Sequence, residues 1–132
     1  MSSRSAIATD SYHVPSEGFV QGVKVSNIGE MVFVSGVTAR REDGSIDSVG
    51  DAAGQTRRIL RNLEAVLEKA GGGLDDLVHT VTYLTDMGLL DSVQEAKAEI
   101  LGDLPCASTT VEVSRLVDPD QLLEIEAIAV IG

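Results

Sequence analysis

The stretch from Asp51 to Ala70 constrains the fold most, because its apolar residues recur at three- and four-residue steps. Charged side chains occupy the opposite face, so the stretch predicts an amphipathic helix with one buried side. Asp51 has the side chain of an N-cap, and the run Gly71-Gly72-Gly73 predicts the end of the helix. The predicted buried stripe consists of Ala52, Thr56, Ile59, Leu60, Leu63, Val66, Leu67 and Ala70.

Short segments rich in β-forming residues flank this helix and predict a sheet. A turn at 27–30 separates the first two and has the composition of a hairpin turn, and Asp118-Pro119-Asp120 predicts the last turn. The expected order is β-β-α-β-α-β-β in one α/β domain over residues 1–132, with residues 1–16 as a loosely ordered lead-in. The segments are strands at 19–28, 31–36, 77–85, 108–116 and 122–131, and a weaker second helix at 86–101.

Two helices can cover only one face of such a sheet. The other face would carry Val, Thr and Ile side chains that stay in contact with water in a monomer. We therefore expect the chain to associate with copies of itself.

The charge of the chain argues against nucleic acid as a partner. Its 21 acidic and 10 basic side chains give a formal net charge of −11. Phosphate backbones are bound by Lys and Arg, and an acidic surface repels them. The basic residues form no run longer than Arg40-Arg41 or Arg57-Arg58.

Other features limit compartment and cofactors. The single cysteine, Cys106, excludes an intrachain disulfide and is typical of a reducing compartment. No segment approaches the roughly 18 unbroken apolar residues of a membrane span, and residues 1–15 lack a signal-peptide pattern. His13 and His79 are far apart and predict no metal site. We expect a cytoplasmic protein without a metal.

The carboxy-terminal strand carries the strongest functional pattern. Alternation with a period of two places Glu124 and Glu126 on the same face as Ile128 and Val130. Acids on a largely apolar strand are costly unless they are used or satisfied, and one of them could act as a general base on water. The alternative is that both acids face solvent and only keep the edge soluble.

The preceding strand begins with hydroxyl residues. Ser108 and Thr110 could hydrogen-bond a small polar ligand, although such residues are more often ordinary β-formers. No Lys or His lies nearby in sequence to activate a serine nucleophile. Cys106 has no charged neighbour in sequence, which favours an inert, packed thiol over a reactive one.

Several colinear segments resemble the Rid family of YjgF-type reactive intermediate deaminases, also called the endoribonuclease L-PSP family. The resemblance runs from about Phe19 to the end of the chain. Its most specific piece is Glu124-Ile125-Glu126-Ala127-Ile128-Ala129. The other matching segments are Met31 to Gly36, Gln55 to Leu63, Ala65 to Gly71, Leu74 to Val78, Tyr83 to Met87, and Val111 to Val113 with Leu116.

The resemblance implies a chorismate-mutase-like α/β fold and a homotrimer whose ligand clefts lie between subunits. For members with the full site it also implies hydrolysis of small reactive imines and enamines to a keto acid and ammonia, with no metal or organic cofactor.

Five site residues are carried over from the resemblance. Glu124 matches the glutamate that holds or activates the attacking water, and Gly36 matches a glycine of the cleft wall. Thr110 occupies a position where the family has a small Cys or Thr next to the site. Phe19 occupies a position where many members have a Tyr. Ser108 is the largest departure, because deaminating members have there an Arg that pairs with the substrate carboxylate.

Three functional hypotheses follow. The first is a deaminase with an altered substrate range, in which Glu124 activates water. The second is a small-molecule-binding or stress-related homologue without activity, favoured by the missing Arg. The third, a ribonuclease, is opposed by the acidic charge and by the absence of a His, Lys and Arg cluster.

Overall fold

The computed structural model describes residues 2–16 and 18–132, which form six strands, two α-helices and two short 3-10 turns. The strands are β1 (Ser3–Ile7), β2 (Gly22–Ser26), β3 (Glu30–Val37), β4 (Leu77–Leu84), β5 (Ala107–Glu112) and β6 (Leu123–Ile131). The helices are α1 (Ala52–Lys69) and α2 (Leu90–Leu101), and the 3-10 turns span Leu74–Asp76 and Met87–Leu89.

The strands form two sheets. A four-stranded mixed sheet has the order β3-β6-β4-β5, in which β4 and β5 are parallel and the other two pairs are antiparallel. A second, two-stranded antiparallel sheet pairs β1 with β2. Both helices pack together, and the core lies between them and one face of the larger sheet. On the other face of that sheet the described part of the chain has no helix, as the sequence predicts.

The first helix follows its sequence pattern closely. The Asp51 carboxylate accepts a hydrogen bond from the Gly54 amide at 3.0 Å, which confirms the predicted N-cap. Gly71 ends the helix with a φ of +91°, a conformation that favours glycine. Most of the predicted stripe is buried, although Val66 is 46% exposed.

The amino-terminal region differs from its prediction. The lead-in contains β1, which the sequence pattern did not predict, and Arg4 on this strand donates hydrogen bonds to the carbonyls of Leu77, Asp75 and Pro105. The predicted hairpin at 27–30 is wrong, because β2 pairs with β1 and β3 pairs with β6. Hairpin composition indicates a turn, but the partner of a strand depends on which faces must be buried.

The strand predicted at 108–116 is also shorter than expected. It ends at Glu112, so residues 113–116 lie beyond β5. Strand β6 begins close to its predicted start. Its entry is held by Gln55 of α1, whose buried side-chain amide accepts from the Leu122 amide at 2.9 Å and donates to the Asp120 carbonyl at 2.9 Å.

Candidate functional site

The register of the larger sheet assigns each candidate residue to a face. Glu124 of β6 is opposite Tyr83 of β4, and both point away from the helices. Leu123 and Ile125, which flank Glu124 on β6, are completely buried against the helices. The predicted alternation is therefore confirmed, and Glu124 and Glu126 share the face that no helix covers, which we call the open face.

Gly36 is directly beneath the Glu124 carboxylate. A Cβ atom built on Gly36 would clash with Oε2 of Glu124, so only glycine leaves room for the carboxylate in this position. The pairing of β3 with β6 is irregular between Val34 and Val37, and this irregularity brings Gly36 under Glu124. Bulges of this kind often redirect a side chain at a functional site.

Tyr83 extends the acidic cluster on the open face. Its hydroxyl donates a short hydrogen bond to the Glu126 carboxylate, and Glu124 lies beside it on the same strand as Glu126. That hydrogen bond, followed by burial and the charges of Glu126 and Glu124, raises the pKa of Tyr83. The phenol therefore stays protonated and serves as a donor on this face.

Ser108 and Thr110 point to the other side of the sheet. In the parallel β4–β5 pair, Ser108 is opposite Thr80 and Thr110 is opposite Thr82. Thr80 and Thr82 are buried beneath the helices, so the side chains of Ser108 and Thr110 also point toward the helices. Both lie on the edge strand of the sheet, where Ser108 is exposed and Thr110 is half-buried.

A cavity of about 400 Å³ opens on this helix side, between α2 and the β5 edge. We call it the helix-side cavity. Phe19 and Ser108 line it, together with Thr80, Lys97 and Cys106. Its volume is within the usual range for small-molecule sites.

The five predicted residues therefore fall into two groups. Gly36 and Glu124 meet on the open face, whereas Phe19 and Ser108 line the helix-side cavity. Thr110 is on the helix side but does not line the cavity. A single chain does not bring Ser108 and Glu124 together, because β4 and the thickness of the sheet lie between them.

Lys97 is a cavity residue that the sequence analysis missed. Only 8% of it is exposed, and its Nζ donates a 3.4 Å hydrogen bond to the Thr82 hydroxyl. Burial lowers the pKa of Lys97, because removing an ammonium from water favours the neutral amine. A sequence signal existed, since Lys97 follows the buried Val93 by four residues on α2 and so lies on the same face of that helix.

Cys106 borders the same cavity and is half-buried. Burial raises the pKa of its thiol, and the nearby Lys97 opposes this effect only in part. The protonated thiol supports the interpretation of a packed cysteine. The charged neighbour that the sequence did not reveal is Lys97, which comes from the helix preceding the strand.

The structure describes residues 2–16 and 18–132. They contain no group of three or more His, Cys, Asp or Glu side chains placed to hold a metal ion. No helix in this part of the chain is long and apolar enough to cross a bilayer.

Comparison with known proteins identifies the family. The family model described as Endoribonuclease L-PSP matches residues 10–131. The chain therefore belongs to this family, which is the Rid or YjgF family, and it has the chorismate-mutase-like α/β fold.

Individual relatives cover almost the whole chain. The 3-aminoacrylate deaminase RutC of Acinetobacter baylyi is 35% identical over 115 residues, which are 87% of this chain and 88% of that protein. The crystal structure of the Rid family protein YyfB from Yersinia pestis has a TM-score of 0.84 at 29% identity and covers 97% of this chain and 98% of that one. E. coli TdcF, solved with bound serine, has a TM-score of 0.70 at 29% identity and covers 97% of this chain and 99% of that one.

Proposed function

We propose that this protein is a hydrolytic deaminase of small reactive imines and enamines, and that it acts at clefts between copies of the chain. The observation that carries the proposal is the Glu124 carboxylate held over Gly36 on the open face. The relationship to a 3-aminoacrylate deaminase supports the same reaction class.

The reaction needs one base and one water. An enamine first takes a proton from solvent on carbon and becomes an iminium ion, and an imine reaches the same state by taking a proton on nitrogen. Glu124 accepts a proton from water while the water oxygen bonds to the imine carbon, which gives a carbinolamine. The carboxyl proton then passes to the nitrogen, the hydroxyl returns its proton to the Glu124 carboxylate as the C–N bond breaks, and a carbonyl compound and ammonia leave. The Glu124 carboxyl finally loses this proton to solvent.

Assembly completes the site in this proposal. Glu124 and Gly36 are on the open face, and Phe19 and Ser108 are at the opposite side and edge of the sheet. A homotrimer would place the open face of one copy beside the β5 edge of the next, so that both groups line one cleft. The open face has the apolar surface that such contacts need, since Phe33 is 70% exposed and Met31 is 49% exposed.

Ser108 points to an altered substrate range within this reaction class. Its neutral hydroxyl can donate one hydrogen bond but cannot form a bidentate ion pair with a carboxylate. Thr110 adds a second small hydroxyl on the same strand. The proposed substrates are small metabolites with a C=N group whose binding does not depend on an ion pair with a residue of β5.

Ammonia release tests the proposal directly. We expect the wild-type protein to accelerate ammonia release from freshly generated imines and from 3-aminoacrylate above the spontaneous rate. Glu124→Gln should remove the acceleration, because the amide cannot accept the proton from water. Removing one general base costs roughly a hundredfold to ten-thousandfold in rate. The matched control is Glu68→Gln, on the exposed surface of α1, which should retain full activity.

A binding protein without activity is the competing outcome, and the neutral Ser108 favours it. In that case the protein would bind a small metabolite, Glu124→Gln would leave the affinity unchanged, and neither protein would exceed the spontaneous rate. Equal ammonia release by the wild-type protein and Glu124→Gln would also reject the proposed role of Glu124.

A further inference from the structure

The amine of Lys97 is a buried nucleophile that the proposed deaminase reaction does not use. It lies in the wall of the helix-side cavity, more than nine-tenths buried. Among the described residues no carboxylate forms an ion pair with Lys97, and its only side-chain hydrogen bond is the 3.4 Å contact with the Thr82 hydroxyl. An ammonium in such surroundings is unfavourable, so the neutral amine is favoured. A neutral lysine amine has a lone pair that can attack carbon.

The helix-side cavity gives small molecules a route to this amine. Thr80 and Ser108 contribute hydroxyl groups to its lining, and a hydroxyl that donates to a carbonyl oxygen makes the carbonyl carbon more electrophilic. Leu101 and Leu104 contribute apolar surface. Apolar cover keeps water away from a C=N bond formed in the cavity and so slows its hydrolysis.

The charges around the cavity select against anions. Glu95 and Asp103 line it from exposed positions on α2 and just after that helix. Apart from Lys97, the described residues that line the cavity include no cation to offset these carboxylates. With Lys97 neutral, a carbonyl compound that carries a carboxylate is repelled, whereas an uncharged one is not.

We propose that Lys97 forms a Schiff base with short, uncharged aldehydes that enter the helix-side cavity. The Nζ lone pair adds to the carbonyl carbon, and the carbonyl oxygen takes up a proton as the nitrogen loses one, which gives a carbinolamine. The C–O bond then breaks, and the oxygen leaves as water with the second hydrogen of the amine. The products are a C=N bond at Nζ and one water, so the step needs no oxidant or further reactant.

This activity goes beyond the proposed deaminase function and uses different groups. Lys97 is on the helix side of the sheet, whereas Glu124 is on the open face. Schiff-base formation at Lys97 consumes an aldehyde and releases water, and the deaminase reaction releases ammonia. Either activity can therefore fail without the other.

Reductive trapping in the wild-type protein tests the inference. The chain contains three lysines, Lys24, Lys69 and Lys97, and the first two are exposed. Brief treatment of the full-length protein with butanal and cyanoborohydride at pH 7 reduces each Schiff base to a stable secondary amine. Peptide mapping by mass spectrometry then separates adducts at Lys97 from those at the exposed lysines and the α-amino group.

We expect Lys97 to be labelled roughly tenfold faster than Lys24 or Lys69, or more. Burial lowers the pKa of Lys97, and each unit by which a pKa falls raises the fraction of neutral amine at pH 7 about tenfold. Unfolding in urea should bring the three lysines to similar rates, because it removes the burial. The anionic aldehyde 4-oxobutanoate, which has a carboxylate in place of the methyl group of butanal, should label Lys97 more slowly than butanal does.

Two variants identify the nucleophile. Lys97→Met should lose the fast labelling and retain that of Lys24 and Lys69. Methionine is similar in length and needs no charged partner, so this variant should unfold at an equal or higher temperature than the wild type. Cys106→Ser should keep the fast labelling, because the thiol that borders the same cavity is protonated and does not react.

The comparison of the three lysines in the folded wild type decides the outcome and does not depend on the folding of any variant. Labelling of Lys97 that is no faster than that of Lys24 and Lys69 would overturn the inference. Fast labelling that persists in Lys97→Met would also overturn it. Equal labelling of Lys97 by butanal and 4-oxobutanoate would show that the choice of uncharged aldehydes is wrong.

Discussion

The two faces of the four-stranded sheet are built from the same strands but have opposite chemistry. On the helix side, Leu123, Ile125 and Ala127 of β6 are buried in the core. On the open face, the alternate residues of the same strand include Glu124 and Glu126. Two buried polar residues on the helix side, Thr80 and Lys97, line the cavity that opens near the β5 edge.

This difference shows that the two faces have separate roles, one in stabilising the fold and the other in presenting side chains at the surface. The helix side holds the fold together, because its apolar residues leave water when α1 and α2 pack on it. The open face contributes less to the fold of one chain, so it can carry carboxylates and exposed apolar residues such as Phe33. Those residues are available for chemistry and for contact with another copy.

The largest expected effect is on stability, from a substitution in the core on the helix side of the sheet. Leu63 of α1 is completely buried, and Leu63→Ala should lower the free energy of unfolding by roughly 2–5 kcal/mol, because it removes apolar contacts and leaves a cavity. Urea unfolding measures the loss.

The matched change on the open face is Phe33→Asp. We expect its circular dichroism to match the wild type, while sedimentation shows a smaller assembly. At low protein concentration, Phe33→Asp could instead unfold as readily as Leu63→Ala. The open face would then be part of the core of one chain, and the proposed difference between the two faces would be wrong.

An intermediate effect is expected at Gly36. Gly36→Ala should push the Glu124 carboxylate aside, because the added Cβ occupies its place. A misplacement of about 1 Å can cost roughly a hundredfold in rate, so ammonia release should fall by about that factor. Gly73→Ala is the control, because a Cβ there meets no atom within 4 Å. Full activity in Gly36→Ala would mean that the position of Glu124 does not matter.

The smallest expected effect is a pH dependence of stability at Lys97. Burial lowers the pKa of Lys97, so the folded state releases this proton at a lower pH than the unfolded state. Stability of the wild type relative to Lys97→Met should therefore rise as pH increases from the lowered pKa toward the ordinary value of about 10.4. The ionisable groups bordering the cavity with Lys97 are Cys106, Glu95 and Asp103.

Urea unfolding of both proteins at pH 7 and pH 10 measures this dependence. At pH 7 we expect Lys97→Met to be more stable by about 1 kcal/mol, the order of cost of an unpaired buried polar group. The difference should shrink at pH 10. A difference that stays constant or grows with pH would show that the charge of Lys97 is not the cause.

The helix and strand pattern could be predicted well from the sequence because each element has its own period. The stripe of α1, its Asp51 cap and the alternation of β6 are local features, and the structure confirms them. Strand β1 escaped prediction because its sequence, Ser3 to Ile7, is short and mostly polar. Its pairing with β2 is a long-range contact.

The candidate site was predictable only in part. The alternation of the last strand indicated Glu124, and the family resemblance added Gly36. The structure shows that the two are in direct steric contact. Lys97 was missed because charged residues on helices are usually exposed, and only the packing of α2 on β4 shows that this one is buried.

The sequence by itself determined the element types, the family and the face of β6 that carries the acids, because periodicity and motifs are written locally in the chain. Only the tertiary structure decided that Ser108 and Glu124 lie on opposite sides of the sheet and that Lys97 borders a cavity. Those facts depend on strand order and helix packing, which join residues that are distant in sequence.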